Sequence, residues 1–240
     1  MNKVPAAATT RACGAVAWRG RTLETRCLTS TELTDGYLPL RYDVLCTELN
    51  WTVREATTPA DLCDAYDRES ISFGVFSAEA QLIGASRLIL PAEGDDLPSV
   101  RLLRSLRRQP RLALPTAEIS RVMVRRECRK LGLFRILLLS GLLLAESTEV
   151  RTLFISERDD ARSARLMANC GFVRYADGFS FVDDTIAPNE SAATYVLDVC
   201  RSIGVESRQA IAAHREMLLR AADALFVAGL AAQTAGSDSG

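Results

Sequence analysis

An alternation of strand and helix patterns in the second half of the chain constrains the fold most. Its first element, Ala117–Val124, alternates side chains as a strand with one polar edge does. The later elements are a long apolar helix at Leu133–Ser147, a strand at Arg151–Ser156, a helix at Asp160–Asn169 that ends at Cys170-Gly171, and a strand at Phe172–Tyr175. The pattern therefore predicts a β-α-β-α-β unit.

The first half of the chain predicts further strands, joined mostly by short turns. The predicted elements are a strand at Arg21–Leu28, a helix beginning at Ser30 and continuing through 38–49, strands at Ile71–Phe76 and Gln81–Pro91, a short helix at Val100–Arg108, and a last strand at Thr194–Val199. This order predicts an α/β (α+β) fold with a mixed, mostly antiparallel twisted sheet and helices on both faces. A dinucleotide-binding fold is disfavoured, because no G-x-G-x-x-G follows the first strand.

The length of 240 residues suits one domain with an appendage. We expect a flexible N-terminus over 1–20 and a folded domain over 21–202. A C-terminal helix should occupy 203–232, with its pattern clearest from Glu206 to Leu230, and residues 233–240 should be disordered.

Composition excludes several classes of site. The seven cysteines form no C-x-x-C pair, which favours reduced thiols and a cytoplasmic protein. His214 is the only histidine, so a histidine-based nucleophilic triad or a multi-histidine metal centre is disfavoured, and we predict no metal site. The most apolar stretch, Ile136–Ala145, is about half as long as a membrane span, and we predict none.

A basic segment lies in the middle of a chain whose net charge is only −1. Between Arg101 and Arg135, only Glu118 and Glu127 oppose the positive charges. The segment is either a solvated face or a dock for an acidic partner, such as a phosphopantetheine-bearing carrier protein or a coenzyme phosphate. Nucleic acid is the least favoured partner, because few aromatic residues are interleaved. The candidate docking residues are Arg104, Arg107, Arg108, Arg125, Arg126, Arg129 and Lys130.

A strand runs into a helix at Arg129-Lys-Leu-Gly132, where the backbone N–H groups of the helix start favour phosphate oxygens. The junction resembles the R-x-x-G-x-G/A pyrophosphate loop of GNAT acetyltransferases. Phe134 departs from that pattern, because it stands where the last small residue should be and would crowd a coenzyme A pyrophosphate.

A set of spaced charged residues carries a second resemblance. The order R…W…D-x-x-D…R…E-x-x-R resembles the signature of the LuxI-type acyl-homoserine lactone synthases, which have a GNAT-like fold. The matching residues are Arg41, Trp51, Asp64, Asp67, Arg87, Glu118 and Arg121. The resemblance spans roughly residues 25 to 200.

This resemblance implies an enzyme that acylates the amine of S-adenosylmethionine and closes a lactone, releasing methylthioadenosine and a quorum-sensing signal. Acyl-carrier protein would be the usual acyl donor, and both substrates would come and go without a permanently bound cofactor. Glu118 would be the general base, with Arg121 and Ser120 as its catalytic neighbours. The implied donor pocket contains Arg41, Trp51, Asp64, Asp67 and Arg87, and the apolar candidates for the acyl chain include Met123 and Leu142.

Three alternatives remain open from the sequence. An N-acyl amino acid synthase would form the amide but no lactone. An ordinary acetyl-CoA-dependent GNAT enzyme is disfavoured by Phe134. A non-enzymatic module that binds nucleic acid is the third.

Overall fold

One sheet of eight strands organises the part of the chain that this computed structural model describes, residues 12–18, 21–49, 56–90, 97–107, 113–180 and 191–199. The strand order is β1-β2-β3-β4-β5-β6-β8-β7, and only β5 and β6 run parallel. The strands are β1 (Ala12–Trp18), β2 (Arg21–Cys27), β3 (Ser70–Phe76), β4 (Leu82–Ile89), β5 (Thr116–Val124), β6 (Thr152–Arg158), β7 (Val173–Ser180) and β8 (Ser191–Asp198). The predicted mixed, mostly antiparallel sheet is confirmed.

Helices cover both faces of the sheet, as expected. They are α1 (Ser30–Glu32), α2 (Leu38–Tyr42), α3 (Pro98–Ser105), α4 (Leu133–Ser147) and α5 (Ala161–Asn169). π-Helical turns at Leu33–Tyr37 and Asp43–Glu48 make α1 and α2 part of one helical segment, and 3₁₀ turns occur at Pro59–Leu62, Ala65–Glu69 and Arg126–Leu131.

Alternating strand residues divide the core between the two faces. Ile119 and Ile155 pack with α4 and α5 on one face, which we call the α4 face. Met123 packs with the helical segment 30–48 on the other, and Phe154 packs there with α3. We call this second face the α2 face. Within the described residues, no helix is long and apolar enough to cross a membrane.

Within the segment 1–20, for which we predicted a flexible N-terminus, residues 12–18 pair with β2 as strand β1, which the sequence analysis did not predict. Small residues such as Ala12, Ala15 and Ala17 give little polar–apolar alternation, so the strand depends on the hydrogen bonds of its neighbour rather than on its own pattern. The predicted C-terminal helix and His214 lie outside the described residues.

Candidate active site

Two buried arginines hold two aspartates in a single charged cluster on the α2 face. Arg41 of α2 donates from Nη2 to Asp64 Oδ2 at 2.7 Å and from Nη1 to Asp67 Oδ2 at 3.0 Å. Arg87 of β4 donates from Nη1 to Asp64 Oδ1 at 2.6 Å and from Nη2 to Asp64 Oδ2 at 2.9 Å. Both arginines are 1% exposed. Paired in this way, the four charges offset much of the cost of burying them.

The local sequence already fixes the two aspartates relative to each other. Asp64 precedes the 3₁₀ turn Ala65–Glu69 and accepts the backbone N–H of Tyr66 at 3.0 Å. Asp67 reaches back to accept the backbone N–H of Asp64 at 2.8 Å. This reciprocal cap orients both carboxylates before the arginines bind them.

The arginines keep Asp64 ionised. Burial alone would raise the pKa of the Asp64 carboxyl, but the hydrogen bonds and charge of Arg87, with the charges of Arg41 and Arg121, hold that pKa well below its usual range. Asp64 therefore stays charged at neutral pH.

A bulge in β5 brings Arg121 to the same cluster. Arg87 pairs with Ser120 and Ala85 with Met123, so two residues of β5 oppose one residue of β4. Arg121 has a φ of 55°, which is uncommon for a residue with a side chain. Regular alternation would direct Arg121 to the α4 face, whereas the bulge lets its Nη2 reach Asp64 Oδ2 at 3.4 Å. The register resumes with Met123 on the α2 face.

Glu118 is buried beside this cluster, on the α2 face of β5. Its side chain is 3% exposed, and its Oε2 accepts the backbone N–H of Ser99 at 2.8 Å. Burial raises the pKa of Glu118 to about 7, while hydrogen bonds from Ser99 and the charges of Arg87 and Arg121 oppose the rise. A carboxyl with this pKa can exchange a proton near neutral pH.

Ser99 belongs to the first turn of α3, where helical N–H groups have no partner within the helix. Leu97, at the N-cap, has an apolar side chain and cannot supply one. Glu118 thus caps α3 from a neighbouring strand, and its anionic form is favoured there by the helix dipole.

The parallel strands β5 and β6 separate beyond Ile119, the residue after Glu118. Their ladder runs from the pair Thr116–Thr152 to the pair Ile119–Ile155, although β5 continues to Val124 and β6 to Arg158. We call the opening between these continuations the β5–β6 gap. It begins next to Glu118 and Ser120, so a substrate in it would meet the buried carboxyl and the bulged backbone together.

A cavity of about 830 Å³ lies on the α4 face, between the start of α4 and α5. Gly132 opens α4 with a φ of 80°, a conformation that glycine adopts without strain. Phe134 lines the cavity and also packs against the core, so its ring forms part of the wall. The charged lining is Arg129, Arg135, Arg162 and Arg165. Such a lining suits a phosphate group.

The structure does not bring every predicted site residue together. Met123 packs on the α2 face and Leu142 on the α4 face, so the sheet separates these two candidates for one acyl slot. Ser120 accepts a hydrogen bond from Arg87 Nε at 2.9 Å and thereby joins the cluster to β5. Trp51 lies outside the described residues.

The candidate docking residues belong to two separate elements. Arg104 and Arg107 are exposed at the end of α3, on the α2 face. The others follow β5, where Arg125 donates to the Leu82 carbonyl and Arg129 pairs with Glu48. Exposed there are Arg126, Arg129 and Lys130. Arg108 lies outside the described residues, and carrier-protein docking stays a prediction.

Sequence reasoning missed several residues at these sites. Ser99 gave no signal, because its importance comes from a contact with Glu118, 19 positions along the chain. Tyr37 is 1% exposed, and its hydroxyl has no hydrogen-bond partner in the described part of the chain. Burial raises the pKa of Tyr37, while the charges of Arg87 and Arg41 oppose that rise. Arg162 and Arg165 could have been found from their spacing on one face of α5, which opens toward the cavity.

Comparisons with known proteins agree with this architecture. Residues 40–139 match the family model described as an acetyltransferase (GNAT) domain. None of the curated proteins matches the sequence.

Several solved structures share the fold at low sequence identity. A CoA-dependent acyl-homoserine lactone synthase, BjaI, solved with SAM and isopentyl-CoA, has a TM-score of 0.54 and 17% identity over 82% of this chain and 83% of its own. FeeM, an N-acyl amino acid synthase from uncultured soil microbes, has a TM-score of 0.53 and 17% identity over 75% of this chain and 93% of its own. A spermidine N-acetyltransferase chimera, SpeG from Vibrio cholerae and hSSAT, has a TM-score of 0.51 and 16% identity over 76% and 99%. The chain has the GNAT fold and matches the GNAT acetyltransferase domain over residues 40–139, which supports an acyltransferase.

Proposed function

We propose that this protein is an acyl-homoserine lactone synthase, which transfers an acyl group from acyl-carrier protein, or from acyl-CoA, to the amine of S-adenosylmethionine and closes the lactone. One observation carries the proposal. The charged residues that match the LuxI-type signature form one buried cluster on the face of β5 that also bears Glu118. They are Arg41, Asp64, Asp67, Arg87 and Arg121.

Amide formation needs a base, because a methionyl α-amine has a pKa near ~8 and is partly protonated at neutral pH. Glu118, with a pKa of about 7, would accept that proton directly or through a water. The amine would then attack the thioester carbon in the β5–β6 gap. Backbone N–H groups of β5 over 122–124 would stabilise the oxyanion, since β5 no longer pairs with β6 beyond Ile119 and its donors on that side are available.

Lactonisation needs positioning more than acid or base strength, because the sulfonium is already a good leaving group. The carboxylate of the donor must approach the carbon next to the sulfonium in a folded conformation. Asp64 and Asp67 would complement the cationic groups of the donor, while Arg41 and Arg87 hold those two aspartates in place. Trp51 would stack on the adenine or face the sulfonium.

The acyl donor would approach from the other side of the gap. The arginine-lined cavity beside Gly132 has the charge to hold the phosphate of a phosphopantetheine arm or of coenzyme A. A carrier protein, being acidic, would meet the exposed basic residues Arg126, Arg129 and Lys130 that adjoin this cavity in sequence. In this proposal the acyl lactone, methylthioadenosine and free thiol leave after turnover, no cofactor stays bound, and the protein acts in the cytoplasm.

The test combines purified protein with S-adenosylmethionine and an acyl-carrier protein or acyl-CoA donor, and measures methylthioadenosine and acyl lactone. We expect both products in equal amounts. Asp67→Asn should abolish them, whereas Asp61→Asn should not, because Asp61 is exposed and, among the described residues, its side chain bonds only Thr57 and Thr58. An amide with free amino acids and no methylthioadenosine would identify an N-acyl amino acid synthase instead.

A further inference from the structure

A chain of hydroxyl groups leads from Glu118 to the β5–β6 gap. The first hydroxyl belongs to Ser99, whose backbone N–H donates to Glu118 Oε2 at 2.8 Å, which places the hydroxyl of the same residue beside that carboxyl. Ser99 Oγ lies 2.9 Å from Ser156 Oγ, and Ser156 Oγ lies 2.9 Å from Thr194 Oγ1. Together with Glu118, these hydroxyl groups therefore connect β5, α3, β6 and β8.

The position of Ser156 indicates where a proton could leave this series of hydroxyl groups. Ser156 is the first residue of β6 beyond Ile155, which forms the last pair with β5. It is half-buried, whereas Ser99 is 1% exposed and Thr194 is fully buried. Thr194 lies directly opposite Ser156 in the ladder of β6 and β8, so its hydroxyl can position that of Ser156. Because Thr194 is fully buried, it offers no second exit for a proton. Ser156 is the most exposed of the three residues and directly follows the last pair of β5 and β6, so we assign the outlet to Ser156.

Acyl transfer from a thioester requires that a proton be removed from the amine and that a proton be delivered to the leaving sulfur. The amine loses a proton as its nitrogen bonds to the acyl carbon, and the carbon–sulfur bond then breaks to release a thiolate. An alkyl thiolate takes up a proton at neutral pH, because its thiol has a pKa near ~8.5 when cysteine is taken as the reference, so protonation helps it leave. The proton that the base removes is the one that the sulfur needs, and the two sites are separate.

We propose that the hydroxyls of Ser99 and Ser156 relay the proton from Glu118 to the departing sulfur, with Thr194 positioning Ser156. This inference rests on the proposed function, in that it requires an acyl thioester in the β5–β6 gap. The balance is complete from the neutral amine: its proton passes to the Glu118 carboxylate as the carbon–nitrogen bond forms and the carbon–sulfur bond breaks, each hydroxyl gives one proton and receives another, and the thiolate becomes a thiol. Glu118 is then again an anion for the next turnover. An amine that binds as an ammonium first loses its additional proton to solvent, through Glu118 or a water.

The distinguishing experiment varies the leaving group. Ser156→Ala and Ser99→Ala are compared with wild type in single turnover with two donors, an alkyl thioester of pantetheine and an aryl thioester of nitrothiophenol. A nitrothiophenolate needs no proton to leave. We expect each variant to lose on the order of 10²-fold in rate with the alkyl thioester, the scale of general acid–base catalysis, and less than about threefold with the aryl thioester.

Matched variants separate the relay from a structural role. Ser156→Thr and Thr194→Ser keep a hydroxyl and should retain most of the rate, whereas Thr194→Val should lose rate with the alkyl thioester only. Ser140→Ala removes another buried hydroxyl, bonded to the Ile136 carbonyl on the α4 face, and should change neither rate.

Equal losses with both thioesters, or no loss with either, would overturn the relay while leaving acyl transfer intact. A wild-type protein that transfers no acyl group from either thioester would overturn the proposed function and the relay together. Ser99→Ala guards against misfolding of a β6 variant, because it keeps the backbone N–H that caps Glu118 and lies on a different element.

Discussion

Arg87 meets Asp64 in a paired, side-by-side contact, with Nη1 on Oδ1 at 2.6 Å and Nη2 on Oδ2 at 2.9 Å. The same guanidinium uses Nε to bind Ser120 Oγ at 2.9 Å. The Arg87 side chain thus connects two parts of the site: the loop that contains the aspartates and the strand β5, which contains Glu118. Because a guanidinium is planar and presents its donors at fixed angles, this contact also fixes the orientation of both partners.

We expect Asp64→Asn to lower the free energy of unfolding by about 3–5 kcal/mol, the cost of breaking a buried ion pair on one side. The change leaves Arg41 and Arg87 buried with too little negative charge nearby. Urea unfolding of the two proteins measures the difference. Asp61→Asn, an exposed carboxylate of the same loop, should cost much less. Similar losses for the two variants would show that the cluster does not stabilise the fold.

Glu118→Gln should keep the fold but lower turnover by about 10²-fold or more, because the amide cannot accept a proton. In wild type, kcat/KM should rise with pH through about 7, where Glu118 loses its proton and becomes a base. That step should be absent in Glu118→Gln. Glu157, whose pKa burial also raises to about 7, provides the control: Glu157→Gln should retain the step. If Glu157→Gln lost the step and Glu118→Gln kept it, the pH dependence would belong to Glu157 and not to Glu118.

Charge reversal at Arg126 and Lys130 should raise the KM for a carrier-bound acyl donor by about tenfold or more, because like charges then face each other at the interface. The KM for acyl-CoA should change much less, since that donor brings no protein surface. Steady-state kinetics with both donors tests this. Arg151→Glu, an exposed arginine before β6, is the control. If both KM values rise equally, Arg126 and Lys130 do not recognise a carrier protein.

Gly141→Ala should destabilise the protein by about 1–3 kcal/mol, although alanine favours helices by about 1 kcal/mol over glycine. A Cβ at Gly141 would lie 2.6 Å from Ile119 Cδ1 and 2.9 Å from its Cγ1, so α4 could not stay at its present distance from β5. At Gly36 the nearest atom is Leu82 Cδ2 at 3.2 Å, and Gly36→Ala should cost less. Denaturant midpoints compare the two. A stabilised Gly141→Ala would mean that helix propensity outweighs packing there.

The resemblance to the LuxI-type signature predicted the residues of the charged cluster, but local patterns could not predict the bulge that completes it. Arg121 has positive φ, a conformation that arginine disfavours in isolation, and only the surrounding pairing of β4 and β5 makes it favourable. The strand β1 was missed for a related reason, since its hydrogen bonds are supplied by β2.

By itself, the sequence determined the order of helices and strands, the mixed sheet and the set of charged residues, because hydrophobic period and residue type are local properties. Tertiary structure decided what those residues can do. Glu118 has a pKa of about 7 because α3 and the sheet remove it from water, and Ser99 and Ser156 come within 2.9 Å of each other across α3 and β6. Dielectric surroundings and contacts between distant segments exist only once the chain has folded.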